Sequence, residues 1–268
     1  MSWYSKWKED RKDKKSKGSS KSWASSFWYD DYDTGYDYLE TYGNYKKDDI
    51  KAFKQTHNYY KLASVRRAIT NFVHIVTGKN IPVTYATKSD SKTDGERVIL
   101  SADVDDKFDV SVGLALHEGS HIKLSNFELL KELELAIHRK IGDAKFKEFG
   151  ELALVKNMSG WIYVVKDILN YVEDRRIDNY IYKSAPGYRD YYRALYDEYF
   201  YDSVVDKGLL SDEYTDETLE SYLFRIINIT NTNTDLNRLK GLKEIYKVLD
   251  LKNIDRLKST KDSLEVAI

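Results

Sequence analysis

Asp109-Val-Ser-Val-Gly-Leu-Ala-Leu-His-Glu-Gly-Ser-His-Ile-Lys-Leu124 is the segment around which the rest of the chain can be placed. Within it, His117-Glu118-Gly119-Ser120-His121 matches H-E-x-x-H. Residues four apart on a helix stand one above the other, so the imidazoles of His117 and His121 can grip one cation. Zn²⁺ suits them, because it accepts neutral imidazole and can keep a position open for water. Glu118 follows the first ligand and can serve that water as general base. Val110, Val112, Leu114, Ala115, Leu116, Ile122 and Leu124 make the flanks apolar, as a helix buried in a core requires. Lys123 departs from this pattern, two places after the second histidine.

The rest of the chain sets the bounds. Its 268 residues hold one large domain or two small ones. A net charge of −1 gives no global reason to expect a nucleic-acid or membrane partner. With no cysteine, disulfides and thiolate zinc sites are excluded, and any metal must be held by His, Asp or Glu. That composition suits a reducing cytoplasm. The start, Met1-Ser-Trp-Tyr-Ser-Lys-Trp-Lys, lacks the apolar core of a secretion signal, and no apolar run approaches a bilayer span.

Residues 1–49 read as a low-complexity arm, Lys/Ser-rich and then acidic and aromatic, for docking on a partner or on the protein's own body. Ile50 to Thr77 carries helical spacing with Gly78 as its stop, and His57 and His74 within it read as packed or surface histidines. Ile81-Pro-Val-Thr-Tyr-Ala-Thr and Arg97-Val-Ile-Leu-Ser-Ala read as strands around the turn Ser89 to Gly95. A small β-hairpin or sheet is therefore expected before the His117 helix, which Asp105 or Asp106 would cap. Gly119 and Ser120 leave room for close packing. Helices follow over Phe127 to Ile141, Ala144 to Val155, Trp161 to Lys183, Tyr188 to Tyr201, Asp212 to Ile229 and Leu236 to Leu257. The fold class is thus α+β and predominantly helical.

Two histidines do not complete a zinc site. A third histidine close behind the motif is absent, since Phe127 stands in its place and Leu124 where the accompanying glycine would be. A later glutamate is the other common solution, with Glu128, Glu132, Glu134, Glu148, Glu151 and Glu173 competing. Glu173 is the choice: its segment is apolar around a polar stripe, and Asn170 lies one turn before it. A buried helix carrying such residues must give them a partner. The bland alternative is a charged face pairing Glu173 or Asp174 with Arg176 or Lys166.

Leu116-His-Glu-Gly-Ser-His121 together with Asn170-Tyr-Val-Glu-Asp-Arg-Arg-Ile177 resembles the glutamate-ligand branch of the zincin metallopeptidases. The likeness is nearest to the metallopeptidase domains of bacterial and phage proteins that often carry a von Willebrand A module, related to the cobaltochelatase CobT type. It covers roughly residues 50–192. The resemblance implies a zincin-like domain over 50–205, with 206–268 a helical extension packed on it. It further implies His117, His121 and Glu173 as zinc ligands and Glu118 as general base, acting on a protein or peptide substrate. Thermolysin-like enzymes place an acid four residues after the ligand Glu. Here Ile177 stands there, so Asp174 or Asp178 would have to serve. No D-x-S-x-S of the A module occurs. Tyr188, Tyr191 or Tyr192, just past the turn after the Glu173 helix, could donate to the oxyanion. The rival readings are an assembly protein that keeps the fold without turnover, and a helical scaffold with no metal.

Overall fold

The computed structural model describes residues 63–86, 91–101, 107–137, 139 and 158–268. The expected arm over 1–49, His57, the helix over Ala144 to Val155 and the caps Asp105 and Asp106 lie outside the described residues. The protein is predominantly helical with one small three-stranded sheet. No described helix is long and apolar enough to cross a membrane. The described residues fall into two compact units, one with those of 63–123 and Gly187–Leu195, the other with those of 124–186 and Tyr196–Ile268.

In the first unit, helix α1 occupies residues 63–77 and ends where Gly78 turns left-handed at φ +68°. Its amide donates to the His74 carbonyl, the expected glycine stop. Strands β1 (Val83–Ala86), β2 (Lys92–Thr93) and β3 (Val98–Ser101) follow. The order is β1-β3-β2, with β1 and β3 parallel and β2 and β3 antiparallel. The two segments read as strands in the sequence therefore do not pair with each other as a hairpin. The hairpin is β2 with β3, closed by a turn at Asp94-Gly95-Glu96, where Gly95 has φ +93°. Asp94 accepts from the amides of Arg97 and Glu96, and these bonds hold its carboxyl down at about 2. Val98 and Leu100 point into the core on alternate positions of β3, the period-two burial of a half-covered sheet.

Helix α2 (Phe108–Leu124) carries the quoted stretch. From Val110 to Leu116 every residue is buried, so the helix is core on all sides before the motif begins. Two glycines let it approach its neighbours. A Cβ on Gly113 would stand 2.6 Å from the Tyr191 carbonyl oxygen, and one on Gly119 would stand 2.8 Å from Val73 Cγ1. A reciprocal pair of lysines ties the helix ends: Lys79 Nζ donates to the Ile122 carbonyl at 3.2 Å, and Lys123 Nζ to the Val76 carbonyl at 3.2 Å. Lys123, the residue out of pattern in the sequence, thus closes orphan carbonyls at the end of α1.

In the second unit, α3 (Phe127–Lys131) is capped by Asn126, and a further helical turn covers 133–137. Helix α4 (Met158–Ser184) is its longest element, as the sequence pattern of Trp161 to Lys183 predicts. Pro186-Gly187-Tyr188 forms a single 3-10 turn that carries the chain into the first unit, where α5 (Arg189–Tyr199) runs as far as Leu195 before its last turn rejoins the second. Helix α6 (Ser203–Leu210) was not expected; Asp202 caps it. The expected helix from Asp212 begins only at α7 (Leu219–Ile227), because Thr218 caps it there. The run from Leu236 to Leu257 is broken twice. Gly241 at φ +74° precedes α8 (Leu242–Leu249), and Asp250 at φ +39° turns the chain into a 3-10 stretch over Leu251–Arg256. A last helix, α9 (Thr260–Ala267), starts at a capping box of Ser259 and Asp262. Its Leu264 and Ala267 join Leu133, Ile137, Val165 and Leu169 in one apolar cluster.

Candidate metal centre

On α2, His117 and His121 face the same way, as their spacing predicts. Their Nε2 atoms lie 3.3 Å apart and the rings are crossed at 81°. Two nitrogens held at about 2.0–2.1 Å from one zinc ion, at a tetrahedral angle, stand about 3.3 Å apart. The pair thus already has the bite that zinc needs. Both histidines are half-buried, whereas Leu116 and Ser120 between and beside them are fully buried. Ser120 spends its hydroxyl on the Leu116 carbonyl at 2.5 Å and so takes no part in the site.

The third member is an acid from α4, but one residue on from the expected one. His117, His121 and Asp174 each offer a ligand atom, these atoms all lie within 4.8 Å of one another, and the group could hold a metal ion. Two imidazoles and a carboxylate are a donor set that zinc accepts. No other such group occurs among the described residues.

Glu173, expected as the third ligand, has a different role. Its Oε1 and Oε2 take a two-pronged bond from Arg176, at 2.6 Å to Nη2 and 2.9 Å to Nε. Oε1 also accepts from Ser125 Oγ at 2.8 Å and Thr260 Oγ1 at 2.9 Å. Burial pushes this carboxyl up, but the bonds and charge of Arg176 and the bond from Ser125 outweigh it, and the net shift is downward. Four donor bonds thus engage this carboxylate within the protein.

The run Glu173-Asp174-Arg175-Arg176-Ile177-Asp178 explains the difference of one residue. Helix α4 is buried on nearly all sides here: Glu173, Arg175, Arg176, Ile177, Asp178 and Asn179 are each 6% exposed or less. Buried charges must be paired. Glu173 pairs with Arg176 and Asp178 with Arg175, each three residues apart. Asp174, beside both pairs, also acts on Arg175 through its charge. Asp178, a candidate second acid for the site, is occupied by Arg175 at 3.3 Å and by the Tyr196 hydroxyl at 2.5 Å. Arg175 in turn lies against the rings of Tyr171, Tyr196 and Phe200 at 5.1, 4.8 and 4.9 Å. Asn170, expected beside the metal, is exposed.

Of the tyrosines expected as oxyanion donors, Tyr188 and Tyr191 come together with Phe72 and Phe108 in an aromatic cluster, ring centroids 5.6–6.4 Å apart. Burial pushes both hydroxyls up, and at Tyr191 the charge of Asp109 adds to it, so they are neutral donors at ordinary pH. Tyr192 is buried in α5. The sequence analysis missed Ser125 and Thr260, whereas the pairing of Glu173 with Arg176, three apart on a helix, is the alternative it weighed. Comparison of the chain with protein-family models, with curated proteins and with solved structures found no match.

Proposed function

We propose that the protein is a zinc-dependent peptidase, with His117, His121 and Asp174 holding the ion and Glu118 acting as general base. The observation that carries this reading is the 3.3 Å separation of the two imidazole nitrogens on a helix that also places Glu118 next to the first of them. When bound, zinc lowers the pKa of a coordinated water from 15.7 to about 7. The Glu118 carboxylate takes the proton of the attacking water and passes it to the leaving amine. His117 and His121 would hold the cation through neutral ring nitrogens. Asp174 adds one negative charge to the site, where the glutamate-ligand branch of the zincins would use a glutamate. A neutral hydroxyl, of which Tyr188 and Tyr191 are the candidates, donates to the developing oxyanion.

The test is metal analysis and peptide cleavage on the full chain. Wild type is expected to carry one zinc per chain and to cleave members of a mixed peptide library. Glu118→Gln keeps the zinc and loses cleavage by at least about a hundredfold, as removal of a general base does. If Glu118→Gln cleaves as well as wild type, the mechanism is wrong. Zinc bound by wild type with no cleavage of any library member marks the protein as a non-catalytic member of an assembly.

A further inference from the structure

Arg175 and Arg225 are both fully buried side chains of the second unit, and their surroundings differ. Arg175, on α4, has the Asp178 carboxylate at 3.3 Å and three aromatic rings about its guanidinium. Arg225, on α7, is 0% exposed and donates from Nε to the Tyr214 carbonyl at 2.6 Å. Its Nη1 and Nη2 are enclosed and meet no acceptor among the described residues. A guanidinium cannot shed its charge, and all its N–H groups are donors. Burying such a group without an acceptor is costly, far more so than for a neutral one.

The acid whose charge reaches Arg225 is Asp235, but its oxygens are turned elsewhere. Oδ1 accepts from the amide and the side chain of Asn237, each at 2.9 Å, and Oδ2 stands 3.8 Å from Arg238 Nε. Arg238 brings a second positive charge beside the first. Burial, and then the charge of Arg238, push Arg225 below its ordinary value. Two guanidinium groups thus converge, and the outer edge of the buried one is unused. Nη1 and Nη2 form that edge, where two oxygens of one oxyanion can accept side by side.

The way in runs past Arg238. Its Nη1 donates to Asp212 at 3.2 Å, and the Asp212 side chain is 94% exposed. A surface pair of this kind is weak and yields to a competing anion. Asp212 and Tyr214 share the loop 211–218, so freeing Asp212 loosens the segment that lies against Arg225.

We infer that Arg225 and Arg238 form a binding site for a phosphate-type oxyanion, which enters past Asp212 and accepts from Arg225 Nη1 and Nη2. The enclosure of those two atoms suits a free inorganic ion better than a phosphate group on a larger molecule. The site lies within the second unit and does not depend on the zinc reading.

The test is thermal unfolding of the full chain at pH 7, titrated with inorganic phosphate against sodium chloride of matched ionic strength. Phosphate at about ten times its Kd is expected to raise the melting temperature by about 3–6 °C over the chloride control. Arg225→Met is expected to lose that rise. Arg238→Met is expected to raise the phosphate Kd at least about tenfold. Asp212→Asn removes the competing carboxylate and is expected to lower the Kd about two- to fivefold. A wild-type rise no larger than in chloride overturns the site, and so does a rise that Arg225→Met retains. A response to O-phosphoserine as strong as to phosphate overturns the assignment to a free ion. If Arg225→Met loses its helical circular dichroism, the other two variants decide: opposite changes in Kd support the site, and an unchanged Kd in both overturns it.

Discussion

Gly113→Ala sets two opposing effects against each other at a position one turn before His117. In an unobstructed helix, alanine stabilises relative to glycine by about 1 kcal/mol. Gly113, however, faces α5. A Cβ there meets the Tyr191 carbonyl oxygen at 2.6 Å, the Tyr191 carbonyl carbon at 3.2 Å and Leu195 Cβ at 3.0 Å. Two of the three atoms are backbone and cannot turn aside, so α5 must move by several tenths of an ångström. Overpacking of this kind costs about 1–3 kcal/mol, and the net loss is up to about 2 kcal/mol. Gly187 provides the control, because nothing lies within 4 Å of a Cβ built there. Urea unfolding followed by circular dichroism reads the effect: with a slope of about 2 kcal/mol/M, the Gly113→Ala midpoint falls by up to about 1 M. Gly187→Ala stays close to wild type. A Gly113→Ala midpoint at or above wild type would show that α2 and α5 are not in the described contact.

Three further outcomes follow from other contacts. Zinc at a hundred times its Kd is expected to add about 2.7 kcal/mol, or about 5–10 °C in melting temperature, and chelator to remove it; a His121→Ala protein that gains as much from zinc contradicts the site. Arg175→Met leaves the Asp178 carboxylate buried without its counter-charge and is expected to cost about 3–5 kcal/mol, most of it recovered by adding Asp178→Asn; thermal unfolding of the single and double variants decides. The Asp255 carboxyl is held below its ordinary value, first by its bond from Lys183 and then by that from Asn179. Its ionised form therefore adds stability at neutral pH, and this addition fades as the pH falls below the ordinary carboxylate range and through the lowered folded value. Lys183 and Asp255 are nearly half exposed, so the effect is under about 1 kcal/mol. Asp255→Asn should lower the urea midpoint at pH 7 and lower it by progressively less as the pH falls below the ordinary carboxylate range, and a loss that does not shrink with pH refutes the assignment.

The parts of this fold legible in the sequence are those whose signals are local. His117 and His121 lie four apart with apolar flanks, and Met158–Ser184 forms a helix just where the uninterrupted pattern ran. Gly78 stops α1 because a left-handed residue was needed there. The choice between Glu173 and Asp174 was not legible. Periodicity marks the buried side of a helix, and α4 near Glu173 is buried on almost every side, so the pattern gives no phase. The parallel pairing of β1 and β3 was hidden for a different reason, since β-rich composition does not name a strand's neighbour. Helix α9 is short and half polar, and Ser259 with Asp262 was its only sequence mark. Gly241 and Asp250 cut the expected final helix with left-handed residues that the apolar spacing ignored.

The two ion pairs of α4 are both made within a single helical turn, Glu173 with Arg176 and Arg175 with Asp178. This segment therefore reaches the interior with four of its charges already balanced by near neighbours in sequence. No distant part of the chain has to arrive first to neutralise them, and the helix can dock as a ready-matched unit.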